Sequence, residues 1–192
     1  YIVITDPAYF AIFQREWLAG GPAGSMSAPF QVVLTESRAR QYFGPARPEQ
    51  WIGRTVIYDD SINASVSGIV RDWKSNTDFP YTEFISFSTI TSGPLKNRFL
   101  PDEWHARHTN VWCFLLLSKG SNPAKIDTQF RQLAASDPAI WRKMDLRLEP
   151  LNDIHFNTTY ADGDNIRRKA SRPALYGMMA VSYTHLTLPT IL

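Results

Sequence analysis

The chain has 192 residues, a formal net charge of +2 and 44% hydrophobic residues, which suits one domain or two small subdomains with a sizeable core. Its 20 basic and 18 acidic residues do not make the clustered basic footprint of a nucleic-acid binder. Cys113 is the only cysteine, which excludes an internal disulfide and a cysteine-based zinc framework but leaves cytosolic and exported locations open.

Thr5-Asp6-Pro7 is a helix-start signal, because Asp6 can accept from free backbone N–H groups and Pro7 suits the first helical position. Phe10, Phe13 and Trp17 follow on one apolar face. A Gly/Ser/Pro loop over residues 20–29 precedes a strand at Gln31-Val32-Val33-Leu34. Thr35 is expected to cap a short helix with Glu36 in its first turn, Ala39, Tyr42 and Phe43 toward the core, and Gly44 at its end. Residues 52–58 and 64–70 predict a hairpin around a turn at 59–62, with Gly68 marking a bulge. Another strand is expected over 84–90, and residues 92–109 are polar and irregular. Residues 111–117 are apolar at every position and predict a central strand covered on both faces, where Leu115→Ala or Phe114→Ala would cost roughly 2–5 kcal/mol. Asn122-Pro123 starts a helix carrying Ile126, Phe130, Leu133 and Ala134, and residues 145–151 alternate like a strand. The class is α+β, with no internal repeat and no clean linker between independent domains.

A search for chemistry returns no catalytic, cofactor-binding or metal residue. His105 and His108 sit near Asp102 and Glu103, but no H-E-x-x-H pattern is present and Pro101 argues for a loop. Asp162-Gly163-Asp164-Asn165 lacks the alternating ligands and later Glu of a calcium loop. The glycines Gly20, Gly21 and Gly24 lack the Lys and Ser/Thr of a phosphate loop, and there is no G-x-S-x-G elbow. The tryptophans Trp17, Trp51, Trp73, Trp104, Trp112 and Trp141 are scattered and read as core rather than a sugar-stacking row. The basic cluster Arg167-Arg168-Lys169-Arg172 reads equally as a lipid-headgroup contact or a solvated loop.

The end of the chain reads differently. Ala174-Leu175-Tyr176-Gly177-Met178-Met179-Ala180-Val181 looks like the first turns of a membrane helix, which needs about 20 apolar residues. No signal-peptide pattern is present, Tyr1-Ile2-Val3-Ile4 begins inside an apolar stretch, and both ends read as cuts. Residues 182–192 resemble translated sequencing-adaptor read-through and show no period that continues the helix.

Four segments in order resemble the extracytoplasmic core domain of MacB/FtsX-type ABC transporter permeases. They are Pro7-Ala8-Tyr9-Phe10-Ala11-Ile12-Phe13 through Trp17-Leu18-Ala19-Gly20; Val32-Val33-Leu34-Thr35-Glu36-Ser37 to Tyr42-Phe43-Gly44; Ile52-Gly53-Arg54-Thr55-Val56 with Val66-Ser67-Gly68-Ile69-Val70-Arg71-Asp72; and Leu148-Glu149-Pro150-Leu151-Asn152-Asp153-Ile154-His155-Phe156. The resemblance implies an α+β core domain with a porter-like βαβ lobe and a second, inserted lobe. It further implies a core domain over 1–173, the start of a second membrane helix at 174–181 and a non-native tail at 182–192. It implies that the helix at 7–13 and the strand at 145–151 belong to, or adjoin, the membrane-proximal lobe and that the hairpin 55–70 lies in the other. The implied protein is non-catalytic and needs no cofactor. It sits in the bacterial inner membrane with this domain on the periplasmic side. Its partners would be a cytoplasmic ABC ATPase, a second permease copy, the membrane, and periplasmic or outer-membrane proteins, with no nucleic acid. Its role would be to couple ATP hydrolysis to substrate handling outside the membrane. The alternatives from the residues alone are a soluble extracytoplasmic glycan- or peptide-binding module and, less well supported, a small hydrolase using His105 or His155.

Overall fold

The structure is a computed structural model and describes residues 1–92, 95–96, 111–136, 147–156 and 170–187. The strands are β1 (Ile2–Thr5), β2 (Trp17–Ala19), β3 (Gln31–Thr35), β4 (Thr55–Tyr58), β5 (Ile62–Val70) and β6 (Glu83–Ser86). They form one six-stranded mixed sheet of order β1-β6-β3-β5-β2, with β4 also on β5. β1 is parallel to β6 and β3 to β5, while the other pairs are antiparallel. The helices are α1 (Ala8–Ile12), α2 (Glu36–Phe43), α3 (Ser88–Ser92), α4 (Pro123–Ser136) and α5 (Arg172–Thr187). The α+β class read from the sequence is therefore the observed one. The chain divides into two compact units, Tyr1–Lys119 and Gly120–Leu192, at the short stretch Gly120-Ser121-Asn122-Pro123.

The first unit is organised by β5. Ser65 pairs with Gln31 on one side and Thr55 on the other, and Val70 pairs with Thr35 and Trp17. β4 and β2 therefore share the edge opposite β3, one at each end of β5. β2, β4 and β5 lie in a single sheet of the same unit, which also holds α1. The bulge expected at Gly68 is present, as the β3–β5 register steps from Val32↔Val66 to Val33↔Gly68. A Cβ on Gly68 would lie 2.5 Å from Trp17 Cζ3 and 2.9 Å from Ser25 Oγ, so only glycine lets β2 close on β5. At the hairpin tip Asp59 and Asp60 adopt φ of 48° and 52°, a left-handed conformation that Asp tolerates.

Both faces of the sheet are covered, which is why β3 is buried along most of its length. Cross-strand partners share a face. Val32 with Ile85 and Leu34 with Glu83 therefore point to the α2 side, and Val33 with Phe84 points to the α1 side. The α2 side holds Trp51, Val56, Tyr58, Ala64 and Val66. The α1 side is aromatic, with Tyr9, Phe10 and Phe13 packed around Phe84 and Phe79.

Local signals set several boundaries, and long-range pairing overrides others. Asp6 accepts from the Ala8 N–H at 2.8 Å, as its position implied. The helix stops at Phe13, however, and Trp17 lies in β2, because the Arg71 N–H bonds the Glu16 carbonyl and draws the chain into the sheet. Thr35 precedes α2 without a side-chain cap; Asp72 replaces it, accepting from the Ser37 N–H at 3.0 Å and from Ser37 Oγ at 2.5 Å. The strand expected over 84–90 ends at Ser86, where its ladders with β1 and β3 run out, and α3 follows.

The central strand expected over residues 111–117 is not formed. The segment has no strand or helix, and Leu116 is 71% exposed and Leu115 50% exposed. Uniform apolarity names neither a face nor a register, so it does not by itself secure a place in a sheet. Phe114 alone is half-buried, edge-on to Phe13 at 5.0 Å and to Phe79 at 5.3 Å. The core cost anticipated for Leu115→Ala therefore does not apply.

In the second unit, Asn122 Oδ1 caps α4 through the Ala124 N–H at 3.0 Å, as expected. Its stripe is only half-buried at Ile126, Phe130 and Ala134. Of the strand expected at 145–151, residues 147–151 are described and are not a strand; the Leu148 N–H bonds Asp127 Oδ1 at 2.7 Å instead. α5 runs on to Thr187, past the expected stop at Ser182. Residues 171–183 are exposed throughout. Deleting 182–192 is therefore expected to leave the thermal midpoint unchanged by circular dichroism, and a clear drop would show that the tail packs on the domain.

Candidate functional site

Two charged clusters flank the sheet, one on each face. On the α2 face, Glu83 of β6 is 2% exposed. Arg38 and Tyr42 project from one side of α2 at i, i+4 spacing and reach it together. Arg38 Nε lies 3.0 Å from Glu83 Oε1, Tyr42 Oη donates to Oε2 at 2.9 Å, and Tyr58 Oη at the end of β4 donates to the same oxygen at 2.7 Å. One carboxylate thus ties β6, α2 and β4 with charge-assisted bonds. Tyr42 is partly exposed even though it was expected in the core, because its hydroxyl is spent on Glu83.

On the α1 face the central group is Arg15, 8% exposed, in the turn between α1 and β2. Its Nη2 donates to the Arg71 carbonyl, its guanidinium carbon lies 4.0 Å from the Trp73 ring centroid, and Phe84 is 5.9 Å away. Burial lowers its pKa from the ordinary arginine value, with Tyr9 and Asp72 opposing. Next to it Arg71 pairs with Glu16 at 2.7 Å, on the surface.

Burial holds the hydroxyls of Tyr9 and Tyr58 well above the usual tyrosine pKa, and for Tyr58 the Glu83 carboxylate adds to the effect. A raised pKa in the fold means that the stabilisation is complete below the unfolded value, about 10, and is lost as pH rises above it. Urea midpoints should fall from about pH 10 upward, and less steeply in Tyr58→Phe. A midpoint flat to about pH 11 would contradict this placement of the two rings.

Among the described residues, the fold gathers none of the groups weighed for chemistry into one site. His105, His108, Asp102, Glu103, residues 162–165 and 167–169, Trp104 and Trp141 lie outside the described residues. Among the described residues no three His, Cys, Asp or Glu side chains form a metal-type group. The remaining tryptophans make no sugar-stacking row: Trp51 is fully buried, Trp17 and Trp73 are half-buried, and Trp112 stacks on Phe114. His155 lies edge-on to Phe156, over which Arg172 packs while also pairing with Asp153. Sequence reading missed both charged clusters. The one available signal was an acid, Glu83, opening an otherwise apolar strand.

The family model described as MacB-like periplasmic core domain matches residues 1–133, which include the whole sheet and both clusters. The chain belongs to this family. It is thus a periplasmic core domain of a MacB-like permease, and the resemblance read from its motifs holds. No curated protein matches it in sequence. Among solved structures it is similar to a domain assigned to a permease protein of Porphyromonas gingivalis, with 15% identity, a TM-score of 0.49, and coverage of 78% of this chain and 67% of that one. It is also similar to the periplasmic region of MacB from Actinobacillus actinomycetemcomitans, with 22% identity, a TM-score of 0.33, and coverage of 45% of this chain and 37% of that one. The chain thus spans little more than a third of that MacB region.

Proposed function

We propose that this MacB-like core domain is the non-catalytic periplasmic part of an inner-membrane ABC transporter permease. In this reading it passes motion from a separate cytoplasmic ATPase to the periplasmic side, where substrate is handled. The observation that carries the reading is the family match over residues 1–133. A sheet covered on both faces and cross-tied by Glu83 supports it, because such a body moves as a unit when pulled. α5 also supports it. Leu175, Tyr176, Met178, Met179 and Val181 are all exposed, and a helix apolar all round wants lipid or protein around it. No described helix is long and apolar enough to cross a membrane. We assign residues 1–173 to the core domain, 174–181 to the start of a second membrane helix and 182–192 to a non-native tail.

The test uses the full permease with its ATPase, on a background where the exposed Cys113 is replaced. Cysteines engineered at matching surface positions of two permease copies should crosslink with a yield that changes between nucleotide-free and ATP-bound states. Equal yields at several positions in every nucleotide state would remove mechanical coupling.

A further inference from the structure

Arg15 is a buried cation that, among the described residues, has no carboxylate in contact. Asp72, the acid whose charge most affects it, is committed to Ser37. Among the described residues Nη1 of Arg15 has no hydrogen-bond partner, and neither have the hydroxyl of Tyr9, 5% exposed, and Nε1 of Trp73. These groups belong to one place: Trp73 lies on the guanidinium, and Phe84 touches both Arg15 and Tyr9. A buried charge without a counter-charge, and buried donors without acceptors, are each costly, and proteins rarely leave them together without a reason.

We propose that Arg15, Tyr9 and Trp73 form a receptor for a single carboxylate group, which Arg15 holds through Nη1 and which Tyr9 and Trp73 bind with their O–H and N–H. Charge selects an anion, and guanidinium geometry favours a carboxylate. The aromatic walls of Phe84 and Trp73 suit a small planar group. The floor is rigid, since Tyr9 is on α1 and Phe84 on β6. Trp73 is the cover, because it sits on a segment, residues 71–82, with no helix or strand. Access requires the indole to swing off the guanidinium, which also provides the readout. The carboxylate can be that of a small free acid or an acidic side chain of a polypeptide. The inference stands on the first unit alone, and its failure would leave the transport reading untouched.

The test titrates the 192-residue chain with acetate against chloride at constant ionic strength, and separately with a short peptide bearing one Asp, following tryptophan fluorescence. A saturable change with acetate supports a free acid; one seen only with the peptide supports an acidic side chain. Either change should vanish in Arg15→Gln and in Trp73→Phe. Should Arg15→Gln fail to fold, Tyr9→Phe keeps the ring packing and should weaken binding about 2–10-fold. No saturable change with either probe would overturn the proposal. So would a change untouched by Tyr9→Phe and Arg15→Gln, or a crystal structure grown in acetate with only a water between the three groups.

Discussion

Glu83→Ala is expected to destabilise the domain by about 3–5 kcal/mol, the range seen when one partner of a buried ion pair is removed. The substitution strands Arg38 and leaves Tyr58 Oη buried without an acceptor. It also releases α2 from β6, because Arg38 and Tyr42 both end on the lost carboxylate. Glu83→Gln should fall between the parent and Glu83→Ala, since the amide oxygen can still accept from Tyr58 but carries no charge for Arg38. Urea unfolding followed by far-ultraviolet circular dichroism measures both. A loss below about 1 kcal/mol for Glu83→Ala would mean that the carboxylate is not the tie between β6, α2 and β4, since surface pairs contribute only that much.

Trp51→Ala should cost a similar ~3–5 kcal/mol, by cavity formation. Trp51 closes the short turn Pro48–Trp51 and is fully buried on the α2 face among Val56, Ala64 and Val66. Its Nε1 has no hydrogen-bond partner, so Trp51→Phe gives up ring volume but no hydrogen bond. The phenylalanine variant should therefore retain most of the stability that alanine loses. Denaturation midpoints of the two variants decide it: equal losses would mean that the indole N–H, not the ring, carries the residue's contribution.

Features written in a few adjacent residues were legible in the sequence. Asp6 beside Pro7, Gly44 after α2, Gly68 within β5 and Asn122 before α4 each act where they were expected to, because the geometry each imposes is local. Features that depend on a distant partner were not legible. Residues 111–117 look like the best strand in the chain yet form none, since apolarity supplies a reason to be buried but no register. The helix through Trp17 lost to β5, a partner more than forty residues away. The Glu83 tie and the Arg15–Phe84 contact join groups separated by 25 and 69 residues, and no spacing rule spans such gaps. The family was legible for a different reason: several weak local motifs in a fixed order constrain a fold that none constrains alone.

The parallel pairing of β1 with β6 sets the order in which this domain can be completed. Ile2 aligns with Glu83, so among the described residues β1 has its only ladder with a strand made 81 residues later. At a synthesis rate of ~5–20 residues per second, β1 waits roughly 4–16 s for that partner. The β4–β5 hairpin, whose strands are neighbours in the chain, can pair before β6 exists, and β3 can join β5 as soon as β5 appears. β1 must then be held off other chains through that interval with its apolar residues unpaired. The sheet closes from its middle outward, and its N-terminal edge is the last to be secured during biogenesis and the first exposed to misassociation.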